Sequence, residues 1–487
     1  MNRPIRRVSA VLALLLLALI ANITIIQVFR AADYRERPGN QRQLLAQYDR
    51  ERGPILVAAD PAARSIETGD TLRYKRVYSN GPLYAPITGF YSLVYGATGL
   101  ERTENRILNG SSDLLFVDRT KQLFAGRQIQ GGAVTTTINS RAQEAAFKGL
   151  GTKTGAVVAI EPSTGRILAS AQSPSFDPNL LSSHNPAEIR AYYEKLTADP
   201  KKPLLNRPLV GLNPPGSTFK LVVTAAALAS GEYTADSILP GPSTYKLPNS
   251  TKELHNWQGR ACSSSGFLTL EQALAVSCNT AFAYLGNQLG DDALRAQAQS
   301  MGFDTSFEVP LRAARSTFPE DPDAPQTALS SIGQFDVRAT ALQMAMVGAA
   351  IGNKGVTMNP YLVQQIRGPD LSILQTTVPS VFKQAMTPQN AASETDMMVN
   401  VVNNGTGSNA RIPGIDVAGK TGTAQTGNAR PSVAWFVAFA PAQNPQVAVA
   451  VMIEEAGTAE ISGNGLAAPI AKKVIEAVLR DSQSNLR

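Results

Sequence analysis

Histidine is almost absent from this chain of 487 residues: only His184 and His255 occur. There is no H-E-x-x-H motif and no Cys/His cluster, which argues against a zinc site. Neither histidine accompanies a nucleophile-elbow motif, which argues against Ser-His-Asp chemistry. Cysteine is equally scarce, with Cys262 and Cys278 the only pair. No long Lys/Arg run occurs, so the net charge of +7 and the pI of about 9.3 read as ordinary solubility charge. The alternative is affinity for anionic lipid or wall polymer, and nucleic-acid binding has no support beyond the pI. A hydrophobic content of 43% and a charged content of 17% fit a globular protein. The chain is too long for one ordinary domain, and it shows no internal repeat.

Long apolar runs are missing too, with one exception. Arg3, Arg6 and Arg7 precede an uncharged, largely apolar stretch from Val8 to Phe29. At about 1.5 Å per helical residue it spans the roughly 30 Å hydrocarbon core. It is longer than a cleaved leader's apolar region, and no clear A-x-A site follows. Residues 1–30 are therefore expected to be a cytoplasmic stub and an uncleaved signal-anchor helix. The arginines stay inside, which places the rest of a single-pass protein outside the cytoplasm.

Residues 31–150 read as a small, polar, irregular N-terminal domain, with a Pro38-Gly39 break, turn signals at Ser79-Asn80-Gly81-Pro82 and Asn109-Gly110, and short β-like pieces at Leu72–Tyr78 and Phe90–Tyr95. From residue 151 to 487 the pattern changes. Ala133–Ile138 leads in as a strand and Arg141–Gly149 as a helix. Ala156–Ile160 and Arg166–Ala171 then flank a Pro/Gly turn as a β-hairpin. Thr218–Ser230 is helical, Ile238–Gly266 is a Pro/Ser/Gly-rich loop, and Thr269–Gln288 is helical with Ser277 near its middle or at a break. Ala339–Ile351 is an apolar helix. Val417–Gln425, Val433–Phe439 and Val447–Glu454 read as neighbouring strands, and Ala467–Leu479 as a terminal helix. Helices around an antiparallel sheet make the fold class α+β.

Three motifs carry the chemistry: Ser217-Thr218-Phe219-Lys220, Ser277-Cys278-Asn279 and Lys420-Thr421-Gly422-Thr423. Each has decoys. S-x-x-K recurs at Ser243…Lys246 and Ser380…Lys383, S-x-N at Ser183-His184-Asn185 and Ser462-Gly463-Asn464, and K-T-G at Lys153-Thr154-Gly155. Context separates them. Ser217 follows Pro214-Pro215-Gly216 and opens a helix, where residues i and i+3 share a face and the helix N-terminus adds positive potential. Ser277 has the right place in the order. Lys420 begins the longer K-T-G-T-A, and Gly422 lets a substrate backbone come close. The set offers a nucleophilic serine, a lysine to take its proton, a second serine for relay and a cation for a carboxylate. It describes acyl transfer through a serine ester without histidine. The bland readings are an N-cap serine at Ser217 and a cap or helix-breaking pair at Ser277 and Asn279.

Outside the cytoplasm Cys262 and Cys278 can pair. A bridge would close a loop of about 15 residues, contribute up to roughly 3 kcal/mol, and pin Ala261–Gly266 to the rim of the site, because Cys278 lies within S-x-N. The alternative is two reduced thiols packed as small hydrophobes.

The three motifs together resemble the penicillin-binding proteins of class B, the D,D-transpeptidases, most of all their actinobacterial branch. Arg52-Gly53-Pro54-Ile55 is similar to the N-terminal R-G-x-I signature of the class. Thr154–Asn179 resembles its entry hairpin, and Ser331-Ile332-Gly333-Gln334 through Leu342-Gln343-Met344-Ala345 its stretch between the second and third motifs. Gly405-Thr406-Gly407 and Ala434-Trp435-Phe436 flank the third motif as in the family. Two positions depart from it. Phe335 stands where glycine is frequent, and no histidine precedes Ala434, which puts the cleft wall and the preferred substrate in question.

The resemblance implies a penicillin-binding transpeptidase domain that cross-links peptidoglycan stem peptides, from a lipid-linked precursor or nascent glycan, during growth and division. Ser217 is the implied nucleophile, Lys220 the base, Ser277 the relay, Asn279 the holder of the peptide amide, and Lys420, Thr421, Gly422 and Thr423 the carboxylate-binding strand. It implies β-lactams as covalent ligands, no metal and no organic cofactor. As partners it implies the cytoplasmic membrane, a glycan polymerase of the shape, elongation and division family, and division proteins, though no residue names one. The alternatives are a D,D-carboxypeptidase or β-lactamase that passes the acyl group to water, a β-lactam sensor, and a non-catalytic divisome scaffold. The few residues before the anchor disfavour the sensor.

Overall fold

The computed structural model describes residues 2–30, 48–126, 128–425, 432–458 and 461–484. The Pro38-Gly39 break lies outside them. An apolar helix, Asn2–Thr24, runs into a short π-helical turn, Ile25–Phe29. The stretch Arg3–Val28 is long and apolar enough to cross a membrane and buries nothing against the rest of the protein.

The centre of the molecule is a five-stranded antiparallel sheet in the spatial order Ala418–Ala424, Val433–Ala440, Val447–Glu455, Thr154–Ile160, Ile167–Ser173. Both faces of its inner strands are buried, which is why they read as continuous Val/Ala/Phe runs instead of alternating ones. On one face lie the helices Ser140–Leu150 and Ala468–Ser484. On the other lie Lys220–Ser230, Ala341–Gly352 and Pro388–Asn403, all rich in buried Ala, Val, Leu and Met.

The N-terminal segment holds more regular structure than its turn-rich sequence predicts. Ile55–Val57, Asp60–Glu67 and Tyr74–Tyr78 join Ala133–Thr136 and two strands from far along the chain, Val363–Arg367 and Ile373–Thr376, in one six-stranded sheet. The R-G-x-I signature has a structural role here. Arg52 and Arg76 both pair with the buried Glu101 at 2.6 Å. Burial alone raises the Glu101 carboxyl, but the charges of Arg76 and Arg52 outweigh it and hold the group below its usual range. Gly53 runs so close to the backbone of Gly131 and Gly132 that a Cβ would overlap it.

Two expectations change in detail. Phe90–Tyr95 yields only the two-residue strand Tyr91–Ser92. The loop Ile238–Gly266 contains three short strands, Ile238–Pro240, Thr244–Lys246 and Glu253–His255. They are too short for a periodic signal. The helical stretch Thr269–Gln288 is broken at Ser277, one of the two expected places for that residue, into Leu270–Ala275 and Asn279–Leu289.

Candidate active site

Ser217 sits in a 3-10 turn, Gly216–Phe219, that leads straight into the helix Lys220–Ser230. In a 3-10 turn residues i and i+3 eclipse, which sets Ser217 over Lys220. The turn is held at several points. The Gly216 N–H donates to the Gly333 carbonyl at 3.0 Å, the Thr218 hydroxyl to the Pro215 carbonyl at 2.7 Å, and the Trp435 indole to the Pro214 carbonyl at 2.9 Å. Gly333 has φ +68°, and a Cβ there would overlap the Gly216 carbonyl oxygen. The neighbouring Phe335 also has positive φ, 57°. A glycine adopts that conformation without strain, whereas phenylalanine does not.

Ser277 lies at the junction of the two helices with φ +60°, a left-handed conformation costing a non-glycine residue about 1–3 kcal/mol. The kink aims both S-x-N side chains at Lys220. The Lys220 Nζ donates to the Ser277 carbonyl and to Asn279 Oδ1, each at 2.8 Å, and stands 3.4 Å from Ser277 Oγ. Lys420 approaches from the sheet and donates to Ser277 Oγ and to the Thr421 carbonyl, each at 2.9 Å. Ser277 thus lies between two fully buried lysines.

Two amines this close, both buried, cannot both hold a proton cheaply. Burial, and then the charge of Lys420, press Lys220 well below its ordinary value, and burial lowers Lys420 to about 7. A neutral amine has two N–H bonds and one lone pair. The two acceptors at 2.8 Å, the Ser277 carbonyl and Asn279 Oδ1, take up two N–H bonds of Lys220, and Ser277 Oγ stands farther off at 3.4 Å.

Lys420, Thr421, Gly422 and Thr423 occupy the edge strand Ala418–Ala424, beside the Ser217 turn. A Cβ on Gly422 would stand 2.9 Å from the Pro215 carbonyl and 3.0 Å from Thr218 Cγ2, so only glycine lets strand and turn meet. Thr423 is exposed, while Thr421 is buried and hydrogen-bonded through its hydroxyl to the Thr406 hydroxyl at 2.7 Å. The Thr406 N–H in turn bonds the Ala275 carbonyl at 3.1 Å, just before S-x-N. The sulfurs of Cys262 and Cys278 are joined at 2.01 Å. Among the described residues no group of three or more His, Cys, Asp or Glu side chains is placed to hold a metal ion.

The structure brings the three motifs together; of the decoys, Ser462-Gly463-Asn464 comes up against them, with Gly463 packed on the Gly422 backbone. Lys153-Thr154-Gly155 begins a strand three places across the sheet from Lys420, Ser243 and Lys246 start and end the first strand region of the small hairpin before S-x-N, and Ser183-His184-Asn185 belongs to the N-terminal side, where His184 meets Asp70. Two polar residues of the site escape sequence reading. Asn256 lies in a Pro/Ser/Gly-rich loop with no pattern around it. Thr406 was visible only as the middle of Gly405-Thr406-Gly407.

The sequence model of the penicillin binding protein transpeptidase domain matches residues 155–476, and that of the penicillin binding protein A dimerisation domain matches residues 52–134. The chain belongs to the penicillin-binding protein transpeptidase family. Within that family it is 46% identical over 491 residues to the peptidoglycan D,D-transpeptidase PbpA of Mycolicibacterium smegmatis, with 99% of this chain and 100% of the relative covered. Its fold superposes on penicillin-binding protein A from Mycobacterium tuberculosis in a ceftriaxone acyl-enzyme complex with a TM-score of 0.87 at 46% identity, covering 89% of this chain and 100% of that one. The penicillin G acyl-enzyme complex of the same protein gives 0.85, also at 46% identity, with 88% and 100% covered. The expected likeness to the actinobacterial PbpA branch of class B is met.

Proposed function

We propose that the chain is a peptidoglycan D,D-transpeptidase whose Ser217 forms the acyl-enzyme, with residues 151–487 carrying the chemistry and residues 31–150 supporting it. The observation that carries this reading is the meeting of the three motifs: Lys220 and Lys420, both buried and both lowered, converge on Ser277 beside the turn that carries Ser217. Relatives at 46% identity that are D,D-transpeptidases, and one seen as β-lactam acyl-enzymes, support it.

Ser217 attacks the carbonyl between two terminal D-alanines of a stem peptide, and Lys220 takes its proton. The backbone N–H groups of Ser217 and Thr423 receive the developing oxyanion. Ser277, already hydrogen-bonded to Lys420 and within reach of Lys220, passes the proton to the departing D-alanine. Asn279 holds the peptide amide. Lys420, charged when a carboxylate binds, and Thr421 and Thr423 hold the substrate carboxylate. The edge position of Ala418–Ala424 lets the stem peptide align along it as an added strand, while Gly422, closed on by Pro215 and Thr218, keeps that strand against the Ser217 turn. An amine of a second stem peptide then takes the acyl group. The acceptor strand is a lipid-linked precursor or nascent glycan, outside the membrane that residues 3–28 span. A glycan polymerase and division proteins are the partner classes expected for such an enzyme.

The test is intact mass of the protein mixed with a labelled penicillin and followed over hours. A stable one-to-one adduct, absent in Ser217→Ala, is expected. A transient adduct with turnover would instead make the chain a hydrolase of the β-lactamase kind, and no adduct would leave a scaffold.

A further inference from the structure

The helix Phe116–Phe124 buries none of its residues. Its apolar side chains nevertheless fall on one face: Phe116 and Val117, then Leu123 and Phe124 two turns on, the spacing i, i+1, i+7, i+8. All four are exposed, Phe124 at 90%, and so is Leu114 just before the helix. Thr120 lies within that face and Lys121 at its edge, while Asp118, Arg119 and Gln122 lie away from it. A contiguous apolar face of this kind marks a contact with something outside the molecule.

The path of the chain says what covers it. Gln122 accepts from the Gln130 N–H at 3.0 Å, and the Gln130 side chain donates to Glu51 at 2.9 Å. Glu51 stands three residues from Tyr48, where the described chain resumes after the apolar N-terminal helix. The helix therefore lies beside the point where the domain meets its tether, held there through its polar side. That tether, residues 31–47, reaches at most about 60 Å. It carries Arg35, Arg37 and Arg42, and Lys121 on the helix is exposed as well, a charge complementary to anionic headgroups. The six-stranded sheet next to the helix joins the central sheet at its Ile167–Ser173 end, where the Thr137 hydroxyl donates to the Ile167 carbonyl at 2.7 Å. The motif strand Ala418–Ala424 is the opposite edge, about 19 Å away across four strand spacings. Lipid contact at the helix leaves Ser217 open.

We propose that Phe116–Phe124 is an interfacial helix, whose apolar face enters the headgroup and acyl boundary of the same membrane that residues 3–28 span. The inference rests on reading those residues as a membrane span. A short helix binds lipid weakly by itself, but the tether makes the second contact intramolecular and so far more favourable.

The test uses the full chain with Phe124→Trp, reconstituted in phosphatidylglycerol and phosphatidylcholine vesicles with brominated acyl chains. The parent, with Trp257 and Trp435, gives the baseline. Phe124 is exposed, and an unfolding midpoint equal to the parent's checks the variant. The added emission should be quenched, because an interfacial helix places its apolar face at the headgroup and acyl boundary, and the quenching should vanish when Phe116→Asp and Val117→Asp are added. Quenching at baseline in protein that floats with the vesicles overturns the inference. Protein that fails to float overturns the membrane-span reading with it. Unquenched emission with crosslinks between two copies at this helix overturns it in favour of a dimer contact.

Discussion

The side-chain oxygen of Asn256 accepts the backbone N–H groups of both Asn279 and Thr280, each at 3.0 Å. It caps the helix Asn279–Leu289 from outside, where the residue in the cap position, Cys278, supplies no side-chain cap. Its amide donates to the Pro242 carbonyl at 2.7 Å and the Arg260 carbonyl at 3.0 Å, so the whole loop is tied to S-x-N through one side chain.

Asn256→Ala should therefore act as the loss of a positioning residue. The missing cap costs about 1–2 kcal/mol, and a displaced Asn279 lets Lys220 wander. Acylation by penicillin should fall on the order of 10²-fold with the protein still folded. Asn256→Asp, which keeps the acceptor oxygen, should recover part of the rate. Equal rates for Ala and wild type in a stopped-flow acylation assay would refute the role.

Lys220→Ala removes the proposed base and leaves the Ser277 carbonyl and Asn279 Oδ1 without their donor. The acylation rate should drop by roughly 10²–10⁴, with the circular dichroism spectrum unchanged. Near-normal acylation in this variant would remove Lys220 from the mechanism.

The pH dependence follows from the two depressed amines. Acylation needs Lys220 neutral, which holds on the alkaline side of its lowered value, and Lys420 charged, which holds only below about 7 in the free enzyme. The second-order acylation constant should decline as pH rises through about 7, with the rising limb on the acid side set by Lys220. Lys420→Arg, charged at every such pH, should abolish the alkaline decline even if the maximum is lower. A decline that persists in Lys420→Arg would assign it to another group.

Gly333→Ala places a Cβ against the Gly216 carbonyl in a left-handed position. It should cost a few kcal/mol of stability, about the range of strain and overpacking together, and lower acylation because Gly216 precedes the nucleophile. Calorimetry and the penicillin adduct read the two effects separately.

Much of this was legible before any coordinates. The order of Ser217, Ser277 and Lys420, the apolar strands at Val433 and Val447, and the break near Ser277 are local signals, carried by spacing and composition. What stayed hidden depends on distant partners. Asn256 works through helix N–H groups some two dozen residues on, and no pattern in its own neighbourhood announces it. The strands Val363–Arg367 and Ile373–Thr376 are short and half-exposed, and nothing near them says that they complete a sheet begun at Ile55.

Reduction should loosen the rim of the site. The bridge from Cys262 to Cys278 spans 16 positions, and its loss should lower stability by up to about 3 kcal/mol. Thiol counting on denatured, unreduced protein should find none free, and urea unfolding of Cys262→Ser should show the deficit.

The shared sheet has a consequence for biosynthesis. Ala133–Thr136 pairs with Ile55–Val57 on one side, but its other neighbour, Val363–Arg367, is made more than two hundred residues later. While the ribosome works through the stretch between them, the growing chain carries a bare strand edge, the kind of surface on which nascent proteins stick to one another. The N-terminal half cannot finish before the serine, the relay and most of the helices already exist. A protein assembled this way matures late and all at once, and a truncated product ending before Thr376 would be a template for aggregation instead of a smaller working unit.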